Sequence, residues 1–138
     1  MNLLGNWYNE LGSTMTINDV TGGQIAGSYT TAVSSTGCAQ GSFNLLGVTD
    51  TDSGGEGVAF SVCWLNTTSQ CASVTAWSGQ AQTINGQDQI IAFWLLTVES
   101  APAADWYATH VGQDVFTRAQ PTKKQIANKS KVLRRSHP

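Results

Sequence analysis

The chain is poor in charge. Asp, Glu, Lys and Arg make up only 12% of its 138 residues, against ~25% in an ordinary soluble domain. It has no run of about 18 apolar residues, so no transmembrane helix is expected. The N-terminus lacks the basic, apolar and small-residue order of a signal peptide, and none is expected in the chain as it stands. There are only three cysteines and two histidines, His110 and His137. Their spacing matches no zinc site, so no metal is expected. The length suffices for one domain with a sizeable core and not for two.

What is present points to an all-β protein. Gly, Ser, Thr, Asn and Gln are abundant, as suits many short strands joined by turns. The net charge of −2 conceals a split. Residues 1–120 hold all nine acidic groups and one basic group, Arg118, for a net −8. Residues 121–138 hold Lys123, Lys124, Lys129, Lys131, Arg134 and Arg135 without an acid, for a net +6. Such a tail raises nucleic acid and membranes as partners. It lacks the aromatics that accompany single-strand binding, and it offers no usable apolar helix face. A flexible basic terminus lying along its own acidic body is therefore expected, with neither nucleic acid nor membrane as partner.

Strand-like segments recur at short intervals, near 6–11, 14–19, 24–33, 41–49, 57–66, 72–82, 88–99 and 111–118. The turns between them are Val20–Gly23, Asp50–Gly55, Thr67–Cys71, Asn85–Gln87 and Ala101–Asp105, with a longer loop at Ser34–Gln40. Eight strands with hairpin-scale connections predict an eight-stranded antiparallel up-and-down β-barrel over 1–120. The one helix expected is a single turn near Ala103–Tyr107. In 88–99 both faces are apolar: Ile90, Ala92, Trp94 and Leu96 on one, Ile91, Phe93 and Leu95 on the other. An isolated barrel presents a mostly polar outside, so a homo-oligomer is expected.

The cysteines suggest an oxidising destination, either secreted or periplasmic. Cys38 and Cys71 lie in loops that a barrel of this kind would bring to one rim, close enough to bond. Cys63 precedes Trp64 in mid-strand and is expected to face outward, a small thiol at a subunit interface.

Residues 5–13, GNWYNELGS, pose the main puzzle. Read as a strand, they put polar Asn9 and Ser13 on the same face as Trp7 and Leu11. Burying such polar groups unpartnered costs on the order of 2–7 kcal/mol each. Other inward positions add Tyr29, Thr31 and Val33, then Trp64, Ser73, Thr75 and Trp77, then Trp94, Leu96 and Asp114. Taken singly, each indole is more often core than ligand wall, and each lone polar group is more often satisfied by backbone. Together they make apolar walls around a few convergent hydrogen-bonding groups, the profile of a small-molecule site.

These residues carry a resemblance. GNWYNELGSTMTI at 5–17, GSYTTAV at 27–33, WSGQ at 77–80, WLL at 94–96 and DWYATHVGQDVFTR at 105–118 resemble the avidin–streptavidin family of biotin-binding barrels. The match runs over about residues 4–118, in family order and near family spacing. The resemblance implies that Asn9, Ser13 and Tyr29 donate to the ureido oxygen of biotin, while Asp114 and Thr31 accept from its two ureido N–H groups. It implies Thr75 at the ring sulfur, Ser73 at the valerate carboxylate, and Trp64, Trp77 and Trp94 around ring and tail. Leu11, Val33 and Leu96 would fill gaps, and one of Ser34, Ser35 and Thr36 would meet the carboxylate. Trp106 matches the tryptophan that family tetramers insert into a neighbouring subunit's pocket, which favours a tetramer over a dimer. Cys38 and Cys71 resemble a loop-to-hairpin disulfide of some bacterial members, and Trp7 a structural residue at the barrel floor.

Four functions compete for these residues. A high-affinity, non-covalent biotin binder with no cofactor accounts for the polar end. A lipocalin-like carrier of another small hydrophobic ligand fits it less well, because five polar groups suit a compact urea better than a lipid. An enzyme would need an activated nucleophile, a metal site or a paired acid and base, and none is evident. A purely structural oligomer would leave the convergent polar groups unexplained.

Overall fold

The computed structural model describes residues 1–32, 39–50, 56–65 and 72–132. Its strands are β1 (Gly5–Tyr8), β2 (Thr14–Thr21), β3 (Gln24–Thr30), β4 (Ser42–Thr49), β5 (Gly57–Cys63), β6 (Ser73–Ile84), β7 (Gln87–Val98) and β8 (Thr109–Thr117). They pair antiparallel in sequence order, and β8 meets β1 at Thr117 and Tyr8 to close the barrel. This is the predicted architecture. Among the described residues, no helix is long and apolar enough to cross a membrane.

Alternation decides which side chains fill the barrel. Met15, Ile17, Ile25, Tyr29, Leu45, Phe60, Val62, Trp77, Ile90, Ala92 and Phe116 are buried inward-facing residues of successive strands. One end is plugged by Trp7, fully buried, whose indole donates to the Leu3 carbonyl at 2.8 Å. The Arg118 guanidinium covers that ring at 3.7 Å and donates to the Asn2 and Asn6 carbonyls. This agrees with Trp7 as a structural residue at the floor. At the opposite end lie the β1–β2, β3–β4, β5–β6 and β7–β8 connections, since alternate hairpins of an up-and-down barrel share a rim. The β7–β8 connection contains the expected short helical turn, a 3-10 helix over Pro102–Tyr107.

Element ends depart from the sequence reading for identifiable reasons. β1 stops at Tyr8 rather than residue 11, because the Asn9 side chain captures the next backbone amides and turns the chain. β3 stops at Thr30, short of Thr31. The β6–β7 hairpin is longer than expected and turns on Asn85 (φ 52°) and Gly86 (φ 76°), the pair that a tight type I′ turn favours. Within the basic tail, Lys123–Val132 form an α-helix, α1. Its start is a capping box, in which the Gln125 amide donates to Thr122 Oγ1 at 3.1 Å and the Thr122 amide to Gln125 Oε1 at 2.8 Å.

The outer surface supports the reading of an apolar outside. Phe93 (65% exposed), Leu95, Val111 (67%), Val74, Leu46 and Val48 all face out. Among the described residues of β4–β8, no outward-facing position carries a charge. A depression of about 760 Å³ opens on this face between Phe93, Leu95, Val111 and Gln113. Cys63 lies on the same outer surface, exposed in the single chain.

Candidate ligand-binding site

The site grows from the turn after β1. Asn9 Oδ1 accepts from the Leu11 amide at 3.1 Å and the Ser13 amide at 2.9 Å. The Ser13 carbonyl accepts from the Asn9 amide at 3.1 Å and closes the turn. Trp7, Asn9, Leu11 and Ser13 are therefore all buried, as their alternation predicts. The cause is a side-chain-capped turn instead of a continued strand. Because two backbone amides fix Oδ1, the carboxamide can turn only its NH2 into the barrel. Nδ2 lies 3.4 Å from both the Tyr29 hydroxyl and Asp114 Oδ1.

Ser13 is set in the same way. Its Oγ accepts from the Ala32 amide at 2.9 Å, which leaves the hydroxyl proton to donate. It lies 3.4 Å from Thr31 Oγ1. Tyr29 comes from inside β3, fully buried, and its pKa is held well above the ordinary phenol value of about 10. Burial is the main cause, followed by the nearby Asp114 carboxylate, while a hydrogen bond with Ser13 opposes the rise. The phenol thus keeps its proton as a donor. Asn9, Ser13 and Tyr29 are three donors, each oriented by its own local bonds.

Asp114, on β8 and fully buried, supplies the facing acceptor. Its Oδ2 accepts from the Trp77 indole at 2.8 Å and its Oδ1 faces Asn9. The adjoining Val115 amide donates to Glu10 Oε1 at 3.1 Å, which ties β8 to the same turn.

Aromatic rings wall the cluster. Tyr29 lies 5.1 Å from Trp77 and 5.5 Å, edge-on, from Trp64. The Trp64 indole donates to Thr75 Oγ1 at 2.8 Å, so Thr75 is engaged with the wall as well as facing inward. Trp94 is buried in the same barrel row as Trp77 and Gly112. A Cβ at Gly112 would lie 2.2 Å from its Cζ2, so glycine is what lets this indole rest on the β8 backbone. Leu96 packs on the core beside Thr75, and half-buried Ser73 opens β6.

Sequence reasoning missed three rings of this cluster. Phe60 stacks on Trp77 at 4.9 Å, Phe43 meets Trp64 edge-on, and Phe116 meets both Tyr29 and Phe60. The signal was present, since Phe60 alternates with Val62 and Trp64, and Phe116 with Asp114. Val33, Ser34, Ser35, Thr36, Cys38 and Cys71 lie outside the described residues, as does the Trp106 side chain. Among the described residues, no group of His, Cys, Asp and Glu could hold a metal ion.

Comparison with known proteins decides the family. The model of the Avidin family matches residues 1–119. The chain belongs to the avidin family. It is similar to Afifavidin of Afifella pfennigii, 30% identical over 86% of this chain and 70% of that protein. It is 34% identical to Avidin of Gallus gallus over 88% of this chain and 80% of that one. A solved structure of apo shwanavidin superposes with a TM-score of 0.70 at 31% identity, covering 86% of this chain and all of that one. Biotin binding is thereby supported at the level of the family.

Proposed function

We propose that this chain is a high-affinity, non-enzymatic binder of biotin that sequesters it without a cofactor. The observation that carries this reading is the convergence of polar groups at one end of the barrel: Asn9 Nδ2 lies 3.4 Å from both the Tyr29 hydroxyl and Asp114 Oδ1, and Ser13, 3.4 Å from Thr31, hydrogen-bonds Tyr29, so three donors can turn toward a single acceptor. One ureido oxygen can accept from all three, and donors preorganised in a dry site polarise it strongly. Asp114 and Thr31 then accept from the two ureido N–H groups. A lipid carrier needs none of these polar groups.

The remaining contacts are those that the family resemblance implies. Trp64, Trp77 and Trp94, with Phe60 behind Trp77, enclose the fused ring, and Leu11 and Leu96 fill the gaps. Thr75 meets the ring sulfur and Ser73 the carboxylate, with Val33 and one of Ser34, Ser35 and Thr36 over the tail. The Cys38–Cys71 disulfide pins that loop, which reduces the entropy lost when it closes over ligand. The uncharged outer face of β4–β8 suits burial against a second copy, because interface cores are depleted in charge. The assembly is a homo-oligomer, in the first instance a tetramer to which each neighbour lends Trp106. The protein acts outside the cytoplasm.

Tryptophan fluorescence tests the binding directly. Biotin is expected to quench and blue-shift the emission, saturating at one equivalent per chain, and the protein is expected to be retained on biotin resin. An unchanged spectrum together with passage through the resin overturns the proposal.

A further inference from the structure

The basic helix α1 is outside the function described so far, yet it touches the binding turn. Gly12 has φ +87°, and a Cβ built on it would lie 3.0 Å from Ile126 Cδ1 and 3.9 Å from the Ala32 Cβ. Ile126 thus sits directly over the Gly12 backbone, where the β1–β2 turn meets the segment leaving β3. It is half-buried, while every other described side chain from Lys123 to Ser130 is exposed. Among the described side chains of α1, Ile126 is the anchor. The capping box at Thr122 and Gln125 sets the register that aims Ile126 at Gly12.

What lies beneath that anchor is the polar end of the site. Gly12 is flanked by Leu11 and Ser13, whose amides hold Asn9 Oδ1 and so fix the direction of Nδ2. Ala32, whose Cβ lies 3.9 Å from where a Gly12 Cβ would be, donates its amide to Ser13 Oγ and so fixes the direction of that hydroxyl. Two of the three proposed donors are therefore oriented by backbone that adjoins Gly12, the residue over which Ile126 sits. The lack of a Cβ at Gly12 is what leaves room for the contact.

From this geometry we infer that α1 is a positioning element of the ligand site and that Ile126 is its positioning residue. Ile126 clamps the turn of Asn9–Ser13 against Ala32 and holds both donors in place while ligand is bound. The inference rests on the biotin reading, because it concerns the orientation of the groups that bind the ureido oxygen. It predicts a slower ligand release, since opening of the turn is the step that frees two hydrogen bonds together.

The experiment compares the full chain with Ile126→Ser, with a chain ended after Gln120, and with the exposed-face variant Lys124→Gln. Release of biotin is followed by competition, and exchange of the Leu11 and Ser13 amides is followed in the ligand-free protein. Ile126→Ser and the shortened chain are expected to release biotin about five-fold faster, the factor that follows from half-burial of an isoleucine. Their Leu11 and Ser13 amides should exchange faster by a similar factor, with the thermal midpoint of the barrel unchanged. Lys124→Gln should match the parent in both readouts. Equal release and equal amide exchange across all four proteins overturn the inference, as does faster release with unchanged exchange. If the parent fails to bind biotin while Ile126→Ser still exchanges faster, the biotin reading falls and the positioning role of α1 stands.

Discussion

Replacing Asp114 with asparagine probes the polar end of the site at constant shape. Among the carboxylate's acceptor contacts are a 2.8 Å bond from the Trp77 indole and a 3.4 Å approach from Asn9 Nδ2. An amide has one acceptor oxygen and two donor protons, so it can serve only one of them. With its oxygen toward Trp77, its NH2 faces Asn9, donor against donor. Turned the other way, it leaves a buried indole N–H without an acceptor. In both orientations the ureido N–H of the ligand loses a charged partner. Hydrogen bonds to charged groups contribute about 1.5–3 kcal/mol net. Taking about 2–3 kcal/mol for the lost ligand contact, Kd rises roughly 30- to 150-fold. The assay is a biotin titration read by tryptophan fluorescence, with circular dichroism confirming that Asp114→Asn stays folded. A Kd within about threefold of the parent would refute the assignment of Asp114 as a ligand acceptor.

Three further outcomes follow from the same geometry. The raised pKa of Tyr29 means that the folded protein holds this proton more tightly than the unfolded chain does. Its contribution to stability is thus complete below about pH 10 and declines as pH rises beyond it; urea midpoints should hold steady from about pH 7 to 9 and then fall, less so in Tyr29→Phe. Gly112→Ala forces a Cβ into the Trp94 ring, which should cost about 1–3 kcal/mol of overpacking, read as a lower thermal midpoint and weaker biotin retention. Phe93→Asp places a charge at the centre of the uncharged outer face, and light scattering should report fewer subunits at one biotin per chain.

The barrel was legible because its strands alternate and its turns carry Gly, Asn and Asp. Pattern could not locate the strand ends, which depend on where side chains capture backbone. Asn9 illustrates this: the period-two burial of residues 7, 9, 11 and 13 was read correctly, but a capped turn produces it. The same capture determines which end of the carboxamide faces the site, a detail invisible in composition. The indoles at 64, 77 and 94 stood out by size, whereas Phe43, Phe60 and Phe116 were passed over although two of them follow the same alternation. Helix α1 was hidden by its own charge. Four lysines among Ile126, Ala127 and Val132 give no apolar stripe, and the helix is marked instead by the TKKQ capping box at 122–125.

Native mass spectrometry with and without biotin tests the central claim most directly, since it reports ligand and subunit number together. One biotin per chain, bound to a closed homo-oligomer, is the predicted result. An assembly whose mass does not change in excess biotin would contradict it.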